Sequence, residues 1–130
     1  MKTLTLYLLS GPYTSQCTDI ACELAQKALE KGYRVNLFLY IDGVHAPKKG
    51  QRTTKFPNVE ERLKKLVQEG LSIKACVRCA SARGYVEGEV LEPETDTFPT
   101  TQYIEGASIT EIYAFPSWIK ESDKVISLGG

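Results

Sequence analysis

Two cysteines three residues apart, Cys76 and Cys79, are the residues of this chain best suited to chemistry. They lie in residues 71–85, LSIKACVRCASARGY, where a short apolar strand delivers Cys76 to the start of a short helix. Unpaired N–H groups and the positive dipole end at a helix start favour the nucleophilic thiolate, provided that the sulfur is open to solvent. Arg78 and Arg83 add positive charge nearby. The alternative is that Cys76 is a small buried hydrophobic residue.

The spacing of the two cysteines also suggests other cysteine chemistry. A CxxC pair is typical of thiol–disulfide redox couples, although thioredoxin-like proteins carry theirs after an early strand and pair it with a later cis-proline. Zinc binding needs a second pair of ligands at suitable spacing. Cys17 and Cys22 are five residues apart and His45 is the single histidine, so the sequence predicts no metal site.

Composition excludes several classes of function. The chain has 130 residues, of which 42% are hydrophobic, enough for the core of one domain spanning residues 1–130. Lysine plus arginine and aspartate plus glutamate number 16 each, so there is no basic surplus for nucleic acid or for a membrane surface. The apolar run at the start is too short for a signal peptide, and we predict a cytoplasmic protein with reduced cysteines.

The order of apolar segments predicts an α/β fold. Strands are expected over residues 3–9, 34–41, 73–75, 107–109 and 123–128. A first helix is expected from a cap at Thr14 or Ser15 to about Lys31, and a second over residues 59–68 after an Asn58 cap. A third is expected from Thr110 through residue 119, kinked or split at Pro116. This βαβαβ order predicts a mostly parallel sheet of about five strands with helices on both faces, a flavodoxin-like doubly wound domain.

Two long segments lack this periodicity. Residues 42–58 are expected to be a structureless loop that contains His45, and such a loop is either a functional lid or a solvated connection. His45 is either a proton carrier, because its reference pKa is near neutral, or a surface residue without a role. Residues 87–101 form an acidic loop whose carboxylates are expected to be solvated: Glu87, Glu89, Glu92, Glu94 and Asp96.

The loop after the first strand lies where phosphate-binding loops occur. It contains Gly11, Pro12, Tyr13 and Gln16 but lacks both the GxxxxGK[ST] and the GxGxxG signatures, so no nucleotide cofactor is predicted. Loops that follow parallel strands emerge at one edge of the sheet, which predicts that these four residues line the site of Cys76 if the first and third strands are adjacent.

The chain resembles the DsrE/TusD-like (DsrE/DsrF-like) family of sulfur-relay proteins nearly end to end. The similarity rests on four segments in order: GPYTSQ, FLYIDGVH, ACVRCASARGY and the closing SDKVISL. In that family the cysteine after the third strand accepts sulfane sulfur as a persulfide and hands it to a partner protein, and Cys76 occupies that position. The resemblance also implies a compact subunit that assembles into trimers or hexamers and needs no cofactor.

The resemblance leaves the role of the chain open. Family members relay sulfur for tRNA thiolation, serve sulfur oxidation, or lack the cysteine and act as scaffolds. Cys79 is a second thiol that many relatives lack, and it is a candidate internal resolving partner. We expect Arg78 and Arg83 to stabilise an anionic persulfide, because positive charge stabilises a developing anion. The rivals are a non-catalytic assembly or ligand-binding subunit and a disulfide reductase that uses both thiols.

Overall fold

The computed structural model describes residues 1–88 and 97–130, and within them the chain forms a six-stranded, mostly parallel sheet in the order β4-β5-β3-β2-β1-β6. The strands are β1 Thr3–Leu8, β2 Arg34–Leu39, β3 Ser72–Cys76, β4 Thr97–Phe98, β5 Ala107–Thr110 and β6 Lys124–Leu128. The helices are α1 Cys17–Glu30, α2 Val59–Gln68, α3 Val77–Ala82 and α4 Ala114–Glu121, with a 3₁₀ helix at Ile41–His45. The predicted α/β class is confirmed; the short antiparallel edge strand β4 was not predicted.

The two faces of the sheet are different because successive strand residues point to opposite sides. One face carries the aliphatic core, which packs against α1, α2 and α3. The other face carries Phe38 and Cys76, which pack against Trp118 of α4. Helices therefore cover both faces, as predicted, and Cys76 belongs to the α4 face although its neighbour Ala75 lies in the aliphatic core.

Parallel pairing brings the carboxyl ends of β1, β2 and β3 to one edge of the sheet. β2 lies between the other two strands, so β1 and β3 are not adjacent. The prediction that the loop of residues 11–16 lines the site of Cys76 required these two strands to be adjacent, so that requirement is not met. The segment that borders both strand ends is instead the 3₁₀ helix that follows β2.

This 3₁₀ helix corrects the prediction of a structureless loop over residues 42–58. β2 ends at Leu39, and Ile41 then adopts a left-handed backbone conformation with φ +52°. The Tyr40 N–H donates to the Leu8 carbonyl, and Gly43 packs so closely on that carbonyl that a Cβ would lie 2.3 Å from its oxygen. Glycine at position 43 thus allows the 3₁₀ helix to lie against the end of β1.

Other helix boundaries show where local sequence signals were reliable. The Asn58 side chain accepts a hydrogen bond from the Glu61 N–H at 3.0 Å, which confirms the predicted cap of α2. For α1 the predicted N-cap at Thr14 or Ser15 is wrong, because Gln16 occupies the N-cap position and makes no side-chain cap. The Ser15 hydroxyl, one residue earlier, nevertheless accepts from the Cys17 N–H at 3.2 Å. Pro116 is the third residue of α4, where a helix needs no N–H, so it does not split the helix.

The acidic segment is only partly described. Glu87 is exposed and accepts a hydrogen bond from the Thr101 hydroxyl at 2.6 Å. The predicted solvation of Glu89, Glu92, Glu94 and Asp96 concerns positions outside the described residues. Among the helices in residues 1–88 and 97–130, none combines the length and the apolar character needed to cross a bilayer.

Replacing Gly43 with alanine should displace the 3₁₀ helix, because the new methyl group meets backbone and not a flexible side chain. We expect Gly43→Ala to lower the free energy of unfolding by roughly 1–3 kcal/mol, as overpacking does. Urea denaturation followed by circular dichroism measures this change. Lys49→Ala, an exposed position in the same segment, is the control and should stay within about 0.5 kcal/mol of the unaltered protein. An unchanged urea midpoint for Gly43→Ala would contradict the close packing.

Candidate functional site

The candidate site is built around the dithiol, by which we mean Cys76 and Cys79 together. Cys76 ends β3 and is also the N-cap residue of α3, and its exposed fraction is 0%. Cys79 lies in the first turn of α3, is partly exposed, and is a direct side-chain neighbour of Cys76. Both are free thiols. The open position expected for Cys76 is thus not found in the single chain, because aromatic rings cover its sulfur.

The cover of Cys76 is an aromatic cluster on the α4 face of the sheet. Phe38 and Trp118 meet edge to face at 6.3 Å between ring centroids, and Tyr7 stacks on Phe115 at 4.1 Å. Burial raises the pKa of the Tyr7 phenol, and Tyr40 and both cysteines add to that increase. The cluster therefore makes the side of the dithiol that faces α4 apolar.

Cys79 lies among polar backbone groups on the other side of the dithiol. The Ile41 N–H donates to the Cys79 Sγ at 3.1 Å, and Arg83 Nη1 donates to the Cys79 carbonyl at 3.1 Å. Burial raises the pKa of the Cys79 thiol and the nearby Cys76 adds to the rise, whereas the Ile41 N–H and Arg83 lower it. The two thiols thus differ: Cys76 is enclosed by aromatic side chains, whereas Cys79 packs against both hydrophobic clusters and also accepts a backbone hydrogen bond.

An ion pair joins α3 to the 3₁₀ helix next to Cys79. Arg83 Nε and Nη2 lie 3.0 and 2.9 Å from the same oxygen of Asp42. The same carboxylate lies 3.8 Å from His45 Nε2, and His45 Nδ1 shares a 2.6 Å hydrogen bond with the Tyr85 hydroxyl. Burial lowers the pKa of His45 and Asp42 partly offsets this, so the imidazole is neutral at neutral pH.

The residues proposed from the sequence fall into two groups. Cys79, Arg83 and His45 gather around the end of β3 as described above. Gly11 approaches the same region from the β1 loop, since a Cβ there would lie 3.2 Å from the Asp42 carbonyl oxygen. Arg78 is exposed, and its guanidinium takes part in none of the contacts found within residues 1–88 and 97–130.

The rest of the β1 loop extends toward α2. The Tyr13 hydroxyl accepts from the Val59 N–H at 3.0 Å, and the Tyr13 ring contacts Phe56. Gln16 is exposed in the cleft that Tyr13 and Phe56 line, and Pro12 is half-buried in the preceding turn. These contacts go to the α2 side and not to either cysteine.

Sequence reasoning missed the contributions of Ile41, Asp42 and Tyr7. Asp42 follows directly after the aromatic strand segment, but nothing local indicates that Arg83, 41 residues later, will pair with it. A left-handed isoleucine has no sequence signature, because β-branched residues disfavour that conformation. In the described part of the chain no group of three His, Cys, Asp or Glu side chains is arranged to hold a metal ion.

Comparisons with known proteins cover nearly the whole chain. The profile of the DsrE/DsrF-like family matches residues 2–128. An uncharacterized protein of Methanopyrus kandleri is 33% identical over 126 residues, which are 97% of this chain and 93% of that protein. A DsrE protein of Allochromatium vinosum, provisionally named a sulfurtransferase, is 36% identical over 91 residues, covering 65% of this chain and 68% of its own. The crystal structure of the Escherichia coli YchN protein has a TM-score of 0.75 at 24% identity, covering 98% of this chain and 99% of its own.

The titration of His45 tests the electrostatics of the site. His45 is the single histidine of the chain, so its ring protons give an unambiguous NMR titration with an expected midpoint below 6.5. The unfolded chain then binds the proton more readily than the folded chain. The contribution of His45 to the free energy of unfolding is therefore fully present above pH 6.5 and decreases as the pH falls below that value. Asp42→Asn should lower the midpoint further and Lys48→Gln should raise it, because these groups act in opposite directions. A midpoint at or above 6.5 would contradict the arrangement.

Proposed function

The chain belongs to the DsrE/DsrF-like family, and from that premise we propose that it is a sulfur-relay protein that carries sulfane sulfur as a persulfide on Cys76 and transfers it to a partner protein. The observation that carries the proposal is the dithiol at the carboxyl end of β3, where the Ile41 N–H donates to the Cys79 sulfur and the Arg83 guanidinium donates to the Cys79 carbonyl. Thiolates are the nucleophiles of sulfur exchange, and amide and cationic neighbours stabilise them.

The transfer consists of two exchange steps. A thiolate at Cys76 attacks the outer sulfur of a donor R–S–SH, the donor S–S bond breaks, R–S⁻ leaves and Cys76–S–SH forms. A thiolate of the acceptor protein then attacks the outer sulfur of Cys76–S–SH and releases Cys76 as thiolate. Neither step needs an oxidant, a metal or an organic cofactor. The rates depend on the thiolate fraction, on the acidity of the leaving thiol and on access.

The aromatic cluster supports storage of the sulfur. A persulfide exposed to water is open to attack by any thiol in solution, whereas exclusion of water and solutes limits such side reactions. Phe38 and Trp118 enclose Cys76 on the α4 face, which would protect its outer sulfur between the two transfers. The same enclosure requires that a donor reach Cys76 through its partly exposed neighbour Cys79 or by displacing a ring.

The proposal extends to assembly and location. We propose a homotrimer or a hexamer that works in the cytoplasm with donor and acceptor proteins as its partners. Large apolar side chains on the surface agree with subunit contacts, since aromatic residues are enriched at interfaces. Tyr113 and Phe56 are the most exposed aromatic side chains of residues 1–88 and 97–130, at 76% and 63%.

A thiol–disulfide oxidoreductase is the second candidate. It is favoured by the direct contact between Cys79 and Cys76, which places two thiols where a disulfide could close between them. That function predicts that mild oxidation removes both thiols together and that Cys79→Ser abolishes turnover of a disulfide substrate. Sulfur relay predicts instead that an added sulfur atom is recovered on the protein.

Persulfide mapping tests the proposal. After incubation with cysteine persulfide and quenching with an alkylating agent, trypsin should cut after Lys74, Arg78 and Arg83 and so separate Cys76 from Cys79. At steady state we expect one added sulfur on the peptide of residues 75–78 in the unaltered protein and in Cys17→Ser, the control at a partly exposed cysteine of α1. Cys76→Ser should hold no sulfur that survives a chase with a small thiol, because the protected position is lost. Absence of added sulfur on residues 75–78 would refute the role of Cys76.

A further inference from the structure

The two thiols of the dithiol differ in access to solvent. Cys76 has an exposed fraction of 0%, whereas the adjacent Cys79 is partly exposed. A donor molecule in solution therefore meets the Cys79 sulfur before the Cys76 sulfur. Direct attack by Cys76 would require movement of the rings that cover it, while attack by Cys79 requires none.

The Cys79 sulfur also receives a hydrogen bond from an unusual backbone position. Ile41 has φ +52°, a conformation that a β-branched residue seldom adopts and that is retained only where surrounding contacts impose it. As a result, the Ile41 N–H points at the Cys79 Sγ at a distance of 3.1 Å. A donor to the charged form favours that form, so the strained turn provides stabilisation for a thiolate or a persulfide anion at Cys79.

Arg83 holds this donor in place. Its guanidinium binds Asp42, the residue after Ile41, and it also donates to the Cys79 carbonyl at 3.1 Å. The Arg83 side chain thus restrains both the segment that carries the Ile41 N–H and the backbone of Cys79, whose sulfur accepts from it.

Other titratable groups also face Cys79 or adjoin its partners. His45 lies beside Asp42 on the 3₁₀ helix. The Tyr7 phenol approaches from β1, and the Tyr103 phenol approaches from the loop before β5. Cys76 approaches from β3. Of the charged groups that act on the thiol, Arg83 is the one that lowers its pKa.

We infer that Cys79 is the thiol that receives sulfur from the donor and passes it inward to Cys76, with the Ile41 N–H and Arg83 as positioning groups; this inference rests on the proposed function. Cys79 thiolate attacks the outer sulfur of R–S–SH, R–S⁻ leaves and Cys79–S–SH forms. Cys76 thiolate then attacks that outer sulfur, the Cys79 S–S bond breaks, and Cys79 leaves as thiolate. The proton of each thiol passes to the departing R–S⁻ or to water, so charge and atoms balance.

A quenched time course with cysteine persulfide tests the order of transfer. In the unaltered protein, added sulfur should appear first on the peptide of residues 79–83 and later on that of residues 75–78. Cys79→Ser should load Cys76 about tenfold or more slowly, because access limits exchange, while Cys76→Ser should retain sulfur on Cys79 and Cys17→Ser should match the unaltered protein. Loading of Cys76 at an unchanged rate in Cys79→Ser would overturn the inference and leave the proposed function standing. Absence of sulfur from the unaltered protein would refute both.

The pH profile of Cys79 alkylation tests the positioning groups. It is read from the tryptic peptide that begins at Cys79, which comprises residues 79–83 in the unaltered protein and residues 79–120 in Arg83→Gln, where the cleavage site at position 83 is lost. Arg83→Gln should raise its midpoint by roughly half a pH unit, since a cation beside a partly exposed thiolate is lost. Ile41→Gly retains the N–H and adopts a positive φ without strain, so it should keep the midpoint. Arg52→Gln is the control, because Arg52 is an exposed arginine that takes no part in the contacts described around Cys79. An unchanged midpoint in Arg83→Gln would remove Arg83 from the mechanism.

Discussion

The alternation of side chains along β3 is the constraint on which the site depends. β3 pairs with β2 on one side and β5 on the other, so its register is imposed from both edges. Ile73 and Ala75 enter the aliphatic core, and Cys76 consequently faces α4. A slip of one residue would exchange the two faces and bury Cys76 among aliphatic side chains. The hydrophobic core thus decides which surroundings the reactive thiol has.

The 3₁₀ helix after β2 is the second requirement, because it brings a backbone donor to Cys79. A left-handed isoleucine persists only where several contacts hold it. The contacts here are the Asp42–Arg83 ion pair, the His45–Tyr85 hydrogen bond and the Tyr103 hydroxyl, which donates to the Val44 carbonyl at 2.6 Å. Each of them joins the 3₁₀ helix to residues that follow β3. The β2 and β3 ends therefore behave as one structural unit around the dithiol.

The cysteines of this chain show how surroundings, and not residue type, set reactivity. Burial among aliphatic side chains of α1 raises the pKa of Cys22 to about 11, which makes it inert at neutral pH. The pKa of Cys79 is also raised, chiefly by burial, but the Ile41 N–H and Arg83 oppose this rise. Cys76 is enclosed by aromatic rings and is in contact with Cys79. A two-thiol relay uses this difference, since it needs one accessible sulfur and one protected sulfur.

The sequence by itself determined the α/β class, the Asn58 cap, the family and the position of the CxxC pair at the end of β3. The fold class, the cap and the position of the CxxC pair follow from patterns within a few residues, such as apolar periodicity and a side chain that caps its own helix. The family follows from four segments that occur in order along the chain. Tertiary structure alone decided that Cys76 is buried, that the segment after β2 is helical, and that Arg83 rather than Arg78 adjoins Cys79. Each of these depends on contacts such as Ile41 with Cys79, 38 residues apart in the chain. Only the order and pairing of the strands brings such residues together, and no local pattern encodes that pairing.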